Sequence, residues 1–305
     1  MLKFSLKDRY GVLLLAAAAL AVLPVYWHPT LWIKAPTYAY LFVLDVTQSM
    51  NVRDIEDDKR SRLAAAKDAV AAALRQLPCG SRAAVALFAD NETVVLFEPL
   101  EVCAHYAAME KVVEGVNWRY AWSGNSHIDM GLASAMKEAK ERGLKVVFVS
   151  DGHQTPPQDG FRLTAIHARR GVSGIIVGIG GDQPRPVPRL DENDAVVGYW
   201  TPEEALRQGF NPNLLAATHG LERLSLLGSD AEAVREHLSA HDADALRQLA
   251  EAARMTYLRF ASAGAFARVV DAPALADFND APRDLRAVFG MIALALFLAG
   301  WRKRD

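Results

Sequence analysis

Apolar runs that fail to alternate with polar residues constrain this chain more than any other feature. Residues 38–44 (YAYLFVL), 83–88 (AAVALF), 145–150 (KVVFVS) and 174–179 (GIIVGI) are short and almost continuously apolar. A strand with one wet face would alternate, so these read as strands covered on both faces. Helical patterning falls between them. Residues 60–77 carry apolar side chains at 63, 66, 70, 73, 74 and 77 and stop at Pro78; residues 127–142 stop at Gly143, and residues 161–170 close at Gly171. A helix over 244–255 leads into a closing strand, 256–260 (TYLRF). The alternation predicts an α/β fold, a doubly wound and mostly parallel sheet with helices on both faces. One departure is expected at an edge, where Asp90, Asn91 and Glu92 form a turn joining 83–88 to 93–97 (TVVLF) in a short antiparallel hairpin.

Open sheets of this kind bind ligands beyond the carboxyl ends of their strands. Asp45, Thr47 and Ser49 stand there, directly after the first run, and their spacing of two turns all three side chains to one side of an extended chain. One carboxylate and two hydroxyls make an oxygen-only set, which suits a hard divalent cation. Asp151 follows the run 145–150 and reaches the same edge. Ser126 ends a Ser-Gly-Asn-Ser loop just before the helix at 127. It offers another hydroxyl, or else it caps that helix with Asp129 at the third position. A polar crown that only caps helices is the alternative to a metal site. Asp54, Glu56, Asp57 and Asp58 read as a solvated acidic approach to the next helix rather than as ligands. His127 and His153 flank the set, but two histidines with no third nitrogen or sulfur ligand make a poor zinc site.

Together, D-x-T-x-S after the first strand, Ser126 before a middle helix and Asp151-Gly152 after the next strand resemble the von Willebrand factor A (VWA) domain, over about residues 38–270. The resemblance implies a metal-ion-dependent adhesion site (MIDAS). Asp45, Thr47 and Ser49 match its first motif, Ser126 takes the place of its Thr, and Asp151 matches its last Asp. It also implies a divalent cation, most simply Mg²⁺ with Ca²⁺ or Mn²⁺ as alternatives, and a position left for an acidic side chain of a protein partner. The implied module is not an enzyme. A strand ending D-x-T is also similar to haloacid-dehalogenase-type phosphatases, but Thr47 stands where those have a second Asp. The chain shows no nucleophile elbow and no phosphate-cradling glycine loop. A structural membrane subunit with an idle metal site is the remaining alternative.

The two ends set the compartment. Residues 11–27 are uncharged and follow Lys3, Lys7 and Arg9; residues 287–301 are uncharged and precede Arg302, Lys303 and Arg304. A span needs about 20 residues, with about 17 at the low end. The first segment reads as a transmembrane helix. A cleaved signal peptide is its alternative, although Pro24, Tyr26, Trp27 and His28 provide no small-residue cleavage site. The second, 285–301, spans if Leu285 is recruited and Arg286 snorkels, with a buried core helix as its alternative. The positive-inside rule then puts residues 1–10 and 302–305 in the cytoplasm and the main domain in the periplasm of a bacterial inner membrane. A net charge of −2 over 305 residues, without a basic stripe, excludes a nucleic-acid footprint.

Cys79 and Cys103 lie twelve residues either side of Asn91, so a hairpin centred there brings them together at its open end. An oxidising compartment permits a disulfide; two unpaired thiols, one near a helix end and one in a loop, are the alternative. Residues 181–243 break the strand–helix alternation and read as an edge insertion with a hairpin around 191–194, a candidate partner surface. An A domain between two spans, with a Pro-rich, Asp-containing insertion ending Gly198-Tyr199-Trp200, looks like the bacterial BatA/BatB group and the MxaL-type proteins of methanol dehydrogenase maturation. The run Val187-Pro188-Arg189-Leu190-Asp191 through Val197-Gly198-Tyr199-Trp200 looks most like the MxaL type. That resemblance implies partnership with a MoxR-type AAA+ ATPase and a role in maturing envelope proteins, including metal insertion into methanol dehydrogenase.

Overall fold

Strands and helices follow one another as the apolar pattern demands in a computed structural model that describes residues 6–55, 60–155, 160–169, 171–201, 204 and 237–302. The chain runs through α1 (Leu6–Tyr26), β1 (Thr30–Thr37), β2 (Ala39–Asp45), β3 (Arg53–Ile55), β4 (Arg60–Ser61), α2 (Arg62–Gln76), β5 (Arg82–Ala89), β6 (Glu92–Val95), β7 (Leu100–Glu101) and α3 (Val102–Gly115). It continues through α4 (Ile128–Arg142), β8 (Lys145–Ser150), α5 (Leu163–His167), β9 (Gly174–Gly178), β10 (Arg185–Pro186), β11 (Pro188–Leu190), β12 (Val196–Tyr199) and β13 (Leu238–Ser239). It ends with α6 (Ala243–Ala253), β14 (Thr256–Arg259), α7 (Ala263–Val270), β15 (Asp277–Asp284) and α8 (Arg286–Arg302). Two units separate, one of residues 38–276 and one joining residues up to 37 with those from 277.

In the larger unit the sheet order is β14-β9-β8-β2-β5-β6, with β7 also beside β5. The five strands from β14 to β5 are mutually parallel, and β6 and β7 run antiparallel to β5. Central β2 is buried at every residue after Ala39, which explains why its sequence does not alternate. Its Tyr40, Phe42 and Leu44 enter the layer built with α2, α3 and α7. Leu41 and Val43 enter the layer with α4, α5 and α6. From β2 the chain first builds β5 on one side and later returns to β8 on the other. The carboxyl end of β2 is therefore a topological switch point, where the two connections part and leave a crevice.

Local chemistry sets the helix ends. Ser61 caps α2 by accepting from the Ala64 N–H at 3.2 Å, and Gly143 stops α4 in the left-handed conformation at φ 64°. The expected edge hairpin is β5–β6, turning at Asp90 with φ 58°. The helix expected over 161–170 is shorter, occupying Leu163–His167. Helix α3 is an element the sequence pattern does not predict. Its buried face is only Val102, Met109 and Val113, too narrow a stripe to show a clear period. Cys103 lies in its first turn and is disulfide-bonded to Cys79, with Cα atoms 5.2 Å apart.

The insertion opens with the expected hairpin, β11 paired to β12. The hairpin is fastened to the domain by Trp118, whose Nε1–H donates to Asp194 Oδ1 at 2.8 Å, and by Arg119, which donates to the Asp191 carbonyl at 2.7 Å. Short β10 pairs with β13, bringing the two ends of the insertion together. Residues 205–236 lie outside the described residues.

The smaller unit is an antiparallel ribbon, β1 with β15 from Thr30↔Asp284 to Thr37↔Asp277, and a pair of apolar helices, α1 and α8. Small residues face each other there: a Cβ added at Gly300 would lie 3.1 Å from the Gly11 carbonyl oxygen, and Ala18 and Ala293 are buried. Leu13, Leu20, Met291, Leu294 and Leu298 point outward. The segments expected to span at 11–27 and 285–301 are thus helical, but among the described residues no helix is long and apolar enough to cross a membrane.

Candidate metal centre

Asp45, Thr47, Ser49 and Asp151 gather at the switch point, and Ser126 pairs with Asp90 just past the end of β5. All five sequence-predicted ligands are buried: Asp45 and Asp151 fully, with Thr47, Ser49 and Ser126 no more than 4% exposed. Asp45 ends β2. The chain then turns through a 3₁₀ segment, Gln48–Asn51, which packs Ser49 inward beside Thr47. Thr47 donates through its N–H and its hydroxyl to Asp45 Oδ1, at 2.9 and 2.6 Å, and its Oγ1 lies 3.3 Å from Ser49 Oγ. Ser150, at the end of β8, donates to Asp45 Oδ2 at 2.7 Å and accepts from the Gly152 N–H. Gly152 has φ 84° and an added Cβ would lie 2.8 Å from the Asp242 carbonyl oxygen, so the turn after Asp151 requires glycine.

Ser126 is held by its backbone alone. Its N–H donates to the Thr155 carbonyl at 2.6 Å, and its own carbonyl accepts from the Thr155 N–H at 3.1 Å. The capping alternative fails here, because α4 begins at Ile128 with His127 as its cap residue. Asp129 instead accepts from the Met130 N–H and, across the domain, from the Arg162 N–H at 2.7 Å. Among the described residues the buried Ser126 Oγ has no hydrogen-bond partner. A native chain rarely buries a hydroxyl idle, so such an atom calls for a ligand.

A fully buried arginine lies behind the cluster, and the sequence reading missed it. Arg62, the first residue of α2, donates through Nη1 to Asp151 Oδ2 at 2.5 Å and to Ser239 Oγ at 2.6 Å, while Nη2 reaches Asp54 Oδ2 at 2.6 Å. Asp54 is therefore not in a solvated loop: its side chain is 3% exposed, and it also accepts from the Gly181 N–H at 2.8 Å. Glu56, Asp57 and Asp58 lie outside the described residues. A signal for Arg62 existed, since it lies three and four residues before buried Ala65 and Ala66 and hence on the buried face of α2.

The two site carboxylates are driven apart. Burial, and then the neighbouring Asp151 charge, push Asp45 up to about 7 despite its three hydrogen bonds. Burial also acts against ionised Asp151, but the Arg62 guanidinium overcomes it and holds that carboxyl below its ordinary value. His127 and His153 are both lowered by burial, so neither adds positive charge at neutral pH. With all three carboxylates ionised, Asp45, Asp54, Asp151 and Arg62 carry a formal −2. The oxygen-only donors, the partnerless Ser126 Oγ and this charge fit a divalent cation.

Residues 40–154, which contain all five of these residues, match the family model of the von Willebrand factor type A domain. No curated protein matches the chain. Among solved structures, an aerotolerance-related membrane protein from Bacteroides fragilis aligns at 14% identity and TM-score 0.51, covering 77% of this chain and 96% of that one. BatB from Bacteroides thetaiotaomicron aligns at 14% identity and TM-score 0.52, covering 78% and 98%. These likenesses reach well past residue 154 and concern the fold. Residues 40–154 are a von Willebrand factor type A domain, set in a chain whose wider fold is shared with BatB-type proteins.

Proposed function

We propose that this chain is a membrane-anchored, non-catalytic binding module whose VWA domain carries a divalent cation, most simply Mg²⁺, and uses it to hold an acidic side chain of a protein partner. Domains of this family are protein-interaction modules, which supports the coarse reading. The observation that carries the finer one is the buried, partnerless Ser126 Oγ, on a residue that pairs with Asp90 just past β5, at the same edge as the buried oxygens of Asp45, Thr47, Ser49 and Asp151. Asp45, Thr47, Ser49, Ser126 and Asp151 would hold the ion, which supplies positive charge for a partner's carboxylate. The protein's own part is to orient the hydroxyls through Asp45 and to keep Asp151 ionised through Arg62.

We read helices α1 and α8 as a pair held in a bilayer, although neither is long and apolar enough to cross one unaided. Leu13, Leu20, Met291, Leu294 and Leu298 are exposed, Ala18 and Ala293 are buried, and Gly300 approaches Gly11, a pattern that supports helices packed in lipid. Local thinning or snorkelling accommodates a short hydrophobic length. Basic residues at both ends orient the termini to the cytoplasm and the domain to the periplasm. Our reading is that the module serves envelope-protein maturation with a MoxR-type ATPase, with metal insertion into methanol dehydrogenase as its most specific form; the sequence resemblance to BatA/BatB- and MxaL-type proteins supports it.

Mn²⁺ uptake, followed by electron paramagnetic resonance on the purified full chain, tests the metal reading. Wild type should bind one ion that EDTA removes, and Asp45→Ala should lose it. Cross-linking from native membranes should capture a partner without EDTA and lose it with EDTA. Equal Mn²⁺ uptake by wild type and Asp45→Ala would sink the assignment.

A further inference from the structure

The same guanidinium that holds Asp151 also holds both roots of the insertion. Gly181, at the start of the insertion, donates its N–H to Asp54 Oδ2 at 2.8 Å, and Asp54 is forked onto Arg62. Ser239, near its end, offers Oγ to Nη1 at 2.6 Å and its carbonyl to Nη2 at 3.2 Å. Ser239 Oγ also lies 3.2 Å from Asp151 Oδ2. Backbone bonds close the circuit: His241 N–H donates to the Gly181 carbonyl and Asp242 N–H to the Asp151 carbonyl. The seat is built for this side chain, since Gly180 has φ 124° and an added Cβ would lie 2.6 Å from Arg62 Nε. A buried arginine with its planar fork satisfied on three sides is a costly feature to bury for stability alone.

We propose that Arg62 is a positioning residue that couples the metal centre to the insertion, so that loading a cation loosens the insertion's roots. The inference rests on the metal reading above. A divalent cation beside Asp151 and the Arg62 guanidinium are like charges sharing one carboxylate. Whatever hold the cation takes on Asp151 is lost in part by Arg62, and Arg62 is what fastens Ser239 and, through Asp54, Gly181. Coupling of this kind is reciprocal: a partner that fastens the insertion would weaken cation binding by the same factor that the cation weakens the fastening. The insertion, whose hairpin exposes Val197 and Tyr199, thereby becomes the part of the surface that reports whether the metal is present.

Amide hydrogen exchange on the full chain in lipid, with EDTA and then with saturating Mn²⁺, tests this, with uptake counted in the same samples by paramagnetic resonance. Peptides over 179–187 and 237–246 should exchange about fivefold faster with Mn²⁺, the lower end of ordinary coupling between sites. Arg62→Lys keeps the charge but loses the fork; with Mn²⁺ raised until the counted uptake equals that of wild type, the response at these peptides should fall away. Should Arg62→Lys not fold or not load, Ser239→Ala decides: it removes the hydroxyl's contacts to Arg62 Nη1 and Asp151 but leaves the guanidinium in place, and at equal Mn²⁺ uptake it should at least halve the response at 237–246. Mn²⁺ uptake by wild type with unchanged exchange at both peptides overturns the coupling and leaves the metal centre standing. A full response in a folded Arg62→Lys, or in Ser239→Ala, also overturns it. No uptake by wild type removes both.

Discussion

Asp45→Asn should stabilise the cation-free protein above pH 7 and destabilise the cation-loaded one. In the folded chain burial and the Asp151 charge raise the Asp45 pKa to about 7, whereas the unfolded chain releases the proton near the ordinary 3.8. Folding therefore takes up a proton between those values. The stability linked to this group is fully present below pH 3.8 and is lost as the pH rises toward 7, after which the loss is constant. A shift of about three units corresponds to a ceiling of about 4 kcal/mol, and relaxation around a buried carboxylate reduces it, so about 2 kcal/mol is the expected gain at pH 8. The asparagine keeps an oxygen to accept from Thr47, and the Ser150 hydroxyl can rotate to accept from the amide. Excess Mg²⁺ should reverse the order, because an ion at 100 times its dissociation constant adds about 2.7 kcal/mol to the wild type alone.

Urea unfolding of both proteins in EDTA at pH 5 and pH 8, and again in Mg²⁺, measures this as a wild-type-minus-variant difference. That difference cancels other groups titrating in the same window, such as His153. If the difference in EDTA is the same at pH 5 and pH 8, or if Asp45→Asn is the less stable protein at pH 8 in EDTA, the account of a charge-strained site is wrong.

Two further perturbations probe the frame. The Cys79–Cys103 bond closes a loop with a sequence separation of 24, so the Cys79→Ser/Cys103→Ser double variant should lose about 3 kcal/mol in urea unfolding. Its Mn²⁺ uptake should be unchanged, since the bridge lies at the amino end of β5 and the ligands lie at the carboxyl ends of the strands. Gly131→Ala in α4 should cost about 2 kcal/mol despite a better helix propensity, because the new Cβ would sit 2.1 Å from the buried Phe88 ring. A Phe88→Leu partner should recover part of that loss in thermal denaturation.

The sheet was legible because its strands carry their own evidence of burial. Residues 38–44 and 145–150 are apolar at consecutive positions, which a strand tolerates only in the middle of a covered sheet, and they are β2 and β8, side by side. Helix α3 was not legible, because it lies on the surface with three buried side chains in fourteen residues. Nor was the ribbon of β1 and β15, whose pairing joins segments 240 residues apart and whose residues are mostly exposed. Periodicity reports burial, and an element that buries little leaves little to read.

The site divides along a different line. Asp45, Thr47 and Ser49 were readable because strand geometry relates residues two apart, and Asp151 because it ends another apolar run. Asp54 was misread as solvated, and Arg62 was passed over, because each alone is an ordinary charge beside a helix start. What buries them is their pairing with each other, with Ser239 and with Asp151, across 177 and 89 positions of sequence for the two longer ties. A charge sees its partner only after the chain has folded, whereas an apolar stripe is written in the order of residues. The same fact bears on the metal. Were Asp151 unpaired, two buried carboxylates would compete for one proton and neither would be reliably ionised. Arg62 settles which one stays charged, so the raised pKa falls wholly on Asp45, the residue that also organises Thr47. The cation-free cluster is thus left with its strain on the carboxylate that a cation would relieve.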